Sequence, residues 1–174
     1  MLHTVTQQPN NADSELVNAA LKQTESSTAT IETRFGEIEV STENPIVFPQ
    51  GLLGIAGNFE YALTDFPSEK LAQFKLLQSL NDPTVSFITL PVALDNALID
   101  RADIEKAAQD VGVEELDNLT ILLIVSVHRS PHDVKVSANT RAPLFVYVPT
   151  RTAVQYVFQN SKYKVQEILN FDDE

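Results

Sequence analysis

The stretch LTILLIVSVHRSPHDVKVSAN, residues 119–139, decides the fold class. Its first part, 119–127, is continuously apolar and rich in β-branched residues, which is typical of a buried strand. The segment 128–133 has Pro131 at its centre and predicts a turn. Residues 134–139 then alternate between apolar and polar, which predicts a second, half-buried strand. A strand, a turn and a second strand favour antiparallel β structure.

Short strands and turns continue on both sides of this stretch. Further strands are predicted over 35–41, 59–66, 74–80, 85–90, 142–148, 153–159 and 163–169. Residues 96–112 predict the helix of the body, with Asp100 or Asp103 as N-cap and Gly112 just after its end. No alternation of strands and helices is present, which disfavours a doubly wound nucleotide-binding fold. We therefore predict a mostly β, antiparallel barrel-like or sandwich domain with one or two short helices.

The 174 residues suit one domain with extensions. Residues 1–30 predict a polar N-terminal extension, and within it Leu16, Val17, Ala20 and Leu21 recur at helical spacing. That stretch is either a short docked helix or a tail without fixed structure, and 24–30 predict a flexible linker. The domain is expected over 31–170, and 171–174 form an acidic tail.

Composition excludes several classes of function. The chain has no cysteine, which excludes disulfides, thiolate metal sites and a cysteine nucleophile. The longest apolar run is about half of a bilayer span, and the N-terminus lacks the pattern of a signal peptide. We expect a cytoplasmic protein without cofactors. The net charge of −12 disfavours nucleic-acid binding; it suits a basic protein partner, or serves solubility alone.

Enzyme chemistry has little support in the sequence. His128 and His132 flank the Pro131 turn, but a metal site needs a third ligand. Ser130 lacks the glycine-rich elbow that activates a nucleophile. The glycine-rich stretch 49–57 lacks the Lys-Ser/Thr pair of a phosphate loop. We expect no catalytic and no metal site; a small β-barrel metal-dependent enzyme is the minor alternative.

The same glycine-rich stretch, PQGLLGIAG, holds three of the five glycines of the chain. This concentration predicts a tight loop with left-handed backbone. Four blocks, in order between Phe35 and Tyr163, resemble the FliW family of flagellar assembly factors. They are Phe35-Gly36-x-Ile38-x-Val40, Phe48-Pro49-x-Gly51-Leu52-x-Gly54, Phe74-x-Leu76-Leu77-Gln78-Ser79-Leu80-x-Asp82-Pro83, and Ala138-Asn139-x-x-Ala142-Pro143 followed by Arg151 and Gln155.

The resemblance implies a β-barrel-like protein that binds two alternative protein partners. One is flagellin, held in a chaperone-like way before export. The other is the translational repressor CsrA, which cannot block flagellin mRNA while it is bound. The sequence departs from the family pattern at Ile55, Ser137, Thr140, Tyr147 and Ala153. The departures at Thr140, Tyr147 and Ala153 motivate the alternative of a divergent paralogue that keeps one partner. We expect a monomer.

Candidate partner-binding residues follow from their positions. Residues 95–117 are rich in acids, which would attract a basic partner or form a solvated helix face. Gln78 lies between apolar neighbours, so it would satisfy an open strand edge or the backbone of a partner, or else face solvent. Asn139 would cap the backbone locally. Phe48 is expected in the core. The candidates are Leu52, Leu53, Ile55, Gln78, Asp100, Asp103, Glu114, Glu115, Asn139, Arg151 and Gln155.

Overall fold

A computed structural model describes residues 27–171. The helix predicted near residue 16 and the residues after Phe171 lie outside this range. The described part contains one α-helix, α1, over Arg101–Asp110. The strands in chain order are β1 Thr28–Thr33, β2 Gly36–Ser41, β3 Ile46–Val47, β4 Glu60–Asp65, β5 Lys75–Ser79, β6 Ser86–Val92, β7 Leu119–Ser130, β8 Asp133–Ala138, β9 Leu144–Tyr147, β10 Thr152–Gln155 and β11 Glu167–Leu169.

Seven of these strands close into a barrel. The large sheet has the order β11-β8-β7-β6-β5-β4-β3-β10-β9, and β9 returns to pair with β7. The closing register sets Leu119 opposite Tyr147. Every pairing is antiparallel except that of β10 with β3, where Thr152 lies opposite Val47. The prediction of a mostly β, barrel-like domain is confirmed, with one parallel pair added.

The 12-residue strand β7 has three neighbours. One of its edges pairs with β6. Along the other edge its first part, 119–122, pairs with β9, and its last part, 125–130, pairs with β8. The β7–β8 hairpin therefore extends beyond the barrel wall, and β11 adds to the outer side of β8. The turn predicted at Pro131 is present between these two strands.

Apolar side chains fill the barrel interior and also pack on its outer faces beneath two elements, α1 and the β1–β2 hairpin. The barrel interior packs Phe48, Tyr61, Leu77, Leu122 and Leu144, which come from opposite walls. Because side chains alternate along a strand, the neighbours of Leu122 on β7 face outward. There they pack under α1, which buries Ile104, Ala107 and Ala108. The β1–β2 hairpin covers another outer face through Ile38 and Val40.

Several boundaries differ from the sequence prediction. The linker expected over 24–30 is wrong for residues 28–30, which form the start of β1. Their alternating burial shows why: the polar side chains face solvent and the others face the hairpin's inner side. The helix is shorter than 96–112, because Oδ1 of Asn96 accepts hydrogen bonds from the amides of Leu98 and Ile99. This local turn holds 96–99 outside the helix.

Candidate partner-binding site

A groove of about 740 Å³ lies between the C-terminal end of α1 and the β9–β10 hairpin. We call it the acidic groove. It brings together segments that are far apart in sequence, including Pro49 and Gln50 at the start of the glycine-rich loop. The further lining residues are Asp110, Val111, Gly112, Val113, Glu114, Glu115, Phe145, Tyr147, Thr150, Thr152, Ala153 and Val154.

The end of α1 shapes one wall of this groove. Gly112 has φ +82, a left-handed conformation that glycine adopts without steric cost. Its amide bonds to the carbonyl of Gln109 at 3.0 Å, and the amide of Val113 bonds to Ala108 at 2.8 Å. This pair of bonds is the Schellman motif, which closes the helix and turns the chain sharply. The turn leaves Glu114 and Glu115 exposed at the lip of the groove.

The lining carries three carboxylates and no basic side chain. Asp110 accepts a hydrogen bond from the hydroxyl of Tyr156 at 2.7 Å, and this bond chiefly lowers the pKa of Asp110. The Asp110 carboxyl is therefore ionised at neutral pH. Lys106 lies 3.5 Å from the same carboxylate on the exposed side of α1. The C-terminal end of the helix dipole adds negative potential. With Phe145 and Val154 in the lining, the groove suits a side chain that joins an apolar stem to a cation.

Asp100 and Asp103 lie at the opposite end of α1. The ammonium of Lys162 lies 2.6 Å from Asp100 and 2.7 Å from Asp103. The hydroxyl of Tyr163 also donates to Asp103. The Lys162 contact, followed by the Tyr163 bond, lowers the pKa of Asp103. The acidic stretch thus has two parts, one paired with the cation of Lys162 and one, at Glu114 and Glu115, that faces the groove.

The glycine-rich loop has the left-handed backbone predicted from its sequence. Gly51, Gly54 and Gly57 all have positive φ. Leu52, a candidate partner-binding residue, turns into the barrel core and is 5% exposed, so little of its side chain is available to a partner. Leu53 is 65% exposed and is available to a partner. Ile55 lies half-buried against the same core.

The structure also corrects the predicted placement of Gln78. It is fully buried on β5, a strand paired on both edges, so it lies neither at an open edge nor in solvent. Its Nε2 donates to three backbone carbonyls, those of Ser79, Pro83 and Val85. Gln78 therefore holds the turn between β5 and β6 and cannot reach a partner.

The motif residues near β9 and β10 have structural contacts. Oδ1 of Asn139 accepts from the amide of Ala142 at 2.9 Å, which is the local cap expected of it. Arg151 has φ +52 and lies in the turn before β10. Its carbonyl accepts from the amide of Val47 at 2.8 Å, so this turn supports the parallel pair that closes the barrel.

Sequence reasoning missed Asp110 and Tyr147 as residues of the groove. Two signals pointed there: Gly112 marks where the chain turns after α1, and Tyr147 and Ala153 depart from the family pattern. All of these residues line the acidic groove.

Among residues 27–171, no group of three His, Asp or Glu side chains is arranged to hold a metal ion. Nε2 of His128 lies 3.2 Å from Oγ of Ser137 on the neighbouring strand. His132 is exposed in the turn after Pro131. Within the same described range, no helix has the length and apolar character needed to cross a membrane.

Comparison with known proteins places the chain in a family. The family model described as "FliW protein" matches residues 29–169. A flagellar assembly factor FliW of Syntrophotalea carbinolica is 33% identical over 143 residues, covering 80% of this chain and 96% of the relative. One from Bdellovibrio bacteriovorus is 30% identical over 139 residues, covering 78% of this chain and 75% of the relative.

A solved structure supports the fold. The crystal structure of a flagellar assembly factor FliW superposes with a TM-score of 0.59 at 23% identity, covering 80% of this chain and 96% of that one. The matched range runs from β1 to β11 and includes the barrel, α1 and the acidic groove. The chain therefore belongs to the FliW family of flagellar assembly factors.

Proposed function

We propose that this chain is a non-enzymatic, cytoplasmic assembly factor that binds the translational repressor CsrA and, alternatively, flagellin. Binding of CsrA relieves the repression of flagellin mRNA translation, and binding of flagellin holds it in a chaperone-like way. The family resemblance implies both partners. The observation that carries the CsrA part is the acidic groove, with three carboxylates and no cation in its lining.

The chemistry of the groove fits a basic protein and disfavours RNA. RNA-binding proteins present Lys and Arg to phosphate, and those side chains complement carboxylates such as Glu114 and Glu115. Phosphate itself is repelled by the same carboxylates. The carboxylates therefore attract a protein that binds the groove through a basic surface. They repel any RNA close to the same surface.

The test of the CsrA proposal is a binding titration with purified CsrA. We expect the double variant Glu114→Gln with Glu115→Gln to bind about tenfold more weakly at low salt, mainly through slower association. Its affinity should also depend less on salt, because fewer charges take part. The matched control is Glu37→Gln with Glu39→Gln, two exposed acids of the β1–β2 hairpin. Equal affinity of the two double variants would contradict the assignment of the groove.

The flagellin part is supported by Leu53. This side chain is exposed on a loop whose backbone amide at Leu53 is bonded to Gln155, so its burial by a partner costs little chain ordering. We expect Leu53→Ser to weaken flagellin binding by about tenfold, since a buried leucine contributes roughly 1.5–3 kcal/mol. Val165→Ser changes a side chain of similar exposure, 60%, and is the control. No loss with Leu53→Ser would exclude this loop from the flagellin contact.

A paralogue that keeps a single partner is the second candidate. Tyr147 and Ala153, which both depart from the family pattern, line the acidic groove. A competition experiment separates the two candidates. Under our first proposal flagellin displaces labelled CsrA from the protein; a single-partner paralogue binds one of them and shows no displacement. If neither binds at micromolar concentration while all proteins are folded, both candidates fail.

A further inference from the structure

A second groove, of about 600 Å³, lies against strands β6, β7 and β8 and the turn between β1 and β2. Its apolar lining includes Phe74, Val127 and Val134. Its charged lining residues are Arg34 and Arg129, and the described residues contribute no carboxylate to it. We call it the basic groove. The whole chain has 24 acidic residues and 12 Lys and Arg residues, so the sign of the charge is reversed here.

The β7–β8 hairpin presents an apolar face to the basic groove. Its register sets Val127 opposite Val136 and Arg129 opposite Val134. Because side chains alternate along a strand, these four lie on one face, and Lys135 lies on the other. Val127 is 41% exposed and Val134 is 59% exposed. Apolar surface that stays open and is rimmed by charged groups is typical of an interaction site.

The fold holds Arg34 in place beside this face. Nη2 of Arg34 donates to the carbonyl of Ser86 at 3.2 Å. Its guanidinium carbon lies 4.7 Å from the centre of the Phe35 ring, which adds a cation–π contact. A guanidinium has five N–H donors, and the bond to Ser86 uses one of them. Arg34 therefore keeps donors for a ligand in a side chain whose position is already restricted.

Arg129 has no acidic partner among residues 27–171. Asp133, the acid of the same hairpin, lies 3.7 Å from Lys135 on the opposite face. An arginine beside apolar surface binds carboxylates well, because its guanidinium is weakly hydrated and offers two parallel donors. The basic groove thus combines unpaired cations with open apolar side chains.

We propose that the basic groove binds a partner protein through a segment in which glutamate or aspartate lies between large apolar side chains. The carboxylate accepts hydrogen bonds from Arg129 or Arg34, and the apolar side chains cover Val127 and Val134. Charge complementarity selects this occupant. Nucleic acid is disfavoured, because the net charge of −12 repels its phosphates and the apolar lining offers them no partner.

The two grooves differ in the segment that each accepts. They share no lining residue, and their charges are opposite. An acidic segment that suits Arg34 and Arg129 is repelled by Glu114 and Glu115, and a basic segment is repelled by the two arginines. The inference goes beyond the proposed function and does not depend on the partners assigned to the acidic groove.

The test selects a random peptide library, displayed on phage, against the full chain. We expect the enriched peptides to combine Asp or Glu with Phe, Leu, Ile or Val. These peptides are then synthesised with a fluorescent label and titrated by anisotropy. Versions with Asn or Gln in place of Asp or Glu should bind about tenfold more weakly, because the charge-assisted hydrogen bonds are lost.

Variants of the protein locate the binding site. Arg129→Gln should weaken the enriched peptides about tenfold, and Val134→Ser should weaken them severalfold. The matched control is Lys135→Gln, which removes the same charge from the opposite face of the hairpin and should leave the affinity unchanged. Circular dichroism checks that each variant is folded.

Three results would overturn the proposal. The first is that the selection enriches no peptides, or only basic ones. The second is that Arg129→Gln and Lys135→Gln have equal effects, since net charge rather than the groove would then explain the binding. The third comes from sedimentation without peptide: a concentration-dependent dimer that Arg129→Gln dissociates would assign the groove to a second copy of this chain.

Discussion

The amide of Leu53 donates a hydrogen bond to Oε1 of Gln155 at 2.9 Å, across 102 positions of sequence. Nε2 of the same Gln155 donates to the carbonyl of Ala142 at 3.2 Å. One amide side chain thus ties the glycine-rich loop to the segment before β9. It determines where Leu53 is presented to solvent.

Removal of this link should loosen the loop without unfolding the barrel. We expect Gln155→Ala to lower the free energy of unfolding by about 1–2 kcal/mol, because it deletes two hydrogen bonds and leaves a part-buried carbonyl unpaired. Urea unfolding followed by circular dichroism measures the change. Gln159→Ala, at an exposed position on the same segment, should cost less than about 0.5 kcal/mol. Similar losses for both variants would show that the Leu53 link is not stabilising.

Removal of the hydroxyl should change the free energy of unfolding in opposite directions at Tyr61 and Tyr163. The hydroxyl of Tyr61 is buried and has no hydrogen-bond partner among the described residues, and burial raises the pKa of Tyr61. Tyr61→Phe should therefore be neutral or stabilise by up to about 1 kcal/mol. The hydroxyl of Tyr163 donates to Asp103 and accepts from the amide of Asp100.

Tyr163→Phe should accordingly destabilise the protein by about 1–2 kcal/mol, since it leaves the amide of Asp100 without this acceptor. Thermal unfolding of both variants against the parent protein gives the comparison. A loss with Tyr61→Phe as large as that with Tyr163→Phe would mean that the buried Tyr61 hydroxyl has a partner after all.

The pair of Asp103 and Lys162 predicts an acid-dependent loss of stability. The pKa of Asp103 is lowered in the folded state, chiefly by Lys162. Its contribution is therefore present above the unfolded-state pKa, about 3.9, and is lost as the pH falls through the folded-state value. We expect Asp103→Asn to destabilise the protein at pH 7 and to become nearly neutral near pH 2.

Urea unfolding at both pH values measures this difference. The control is Asp117→Asn, which alters an exposed aspartate near the other end of the acidic stretch. A deficit of Asp103→Asn that stays constant between pH 7 and pH 2 would contradict the role of the Lys162 ion pair.

Burial of Gln78 predicts a strong effect of charge at this position. Gln78→Glu should destabilise by roughly 3 kcal/mol at pH 7, because a carboxylate would replace the amide that serves three carbonyl oxygens. Burial beside carbonyl oxygens would raise the pKa of the new carboxyl in the folded state, so the deficit should shrink as the pH falls toward about 4.3 and should be smallest below it, where the carboxyl is protonated in both states. Gln159→Glu is the exposed control. A small, pH-independent effect would contradict the buried placement of Gln78.

The strands of the fold could be predicted from local patterns, whereas burial could not. The alternation in 134–139 and the turn at Pro131 lead directly to the β7–β8 hairpin. Gln78 was placed correctly on a strand, but its environment depends on β4 and β6, which flank β5 on both edges. Leu52 was placed correctly in a loop, but the direction of its side chain is set by the turn that bonds Ile55 to its carbonyl.

The candidate site could be predicted only in part, because a local pattern places a residue on an element but does not predict its contacts with distant residues. Glu114 and Glu115 follow a helix end that Gly112 marks in the sequence, and they do face a groove. Asp100 and Asp103 belong to the same acidic stretch, yet both form ion pairs with Lys162, about 60 positions later. No local sequence pattern predicts a contact between residues so far apart in the chain. The start of β1 was missed because its threonines suit a linker as well as a hairpin.

Closure of the barrel has a consequence for the order in which the protein folds. The parallel contact of Val47 with Thr152 joins segments from the two ends of the domain. During synthesis, β3 can pair with β10 only after nearly all of the strands between them have left the ribosome. Contacts over such separations slow folding, because loop-closure entropy is lost before they form. We therefore expect an open sheet on the nascent chain, whose unpaired edges need protection until β10 arrives.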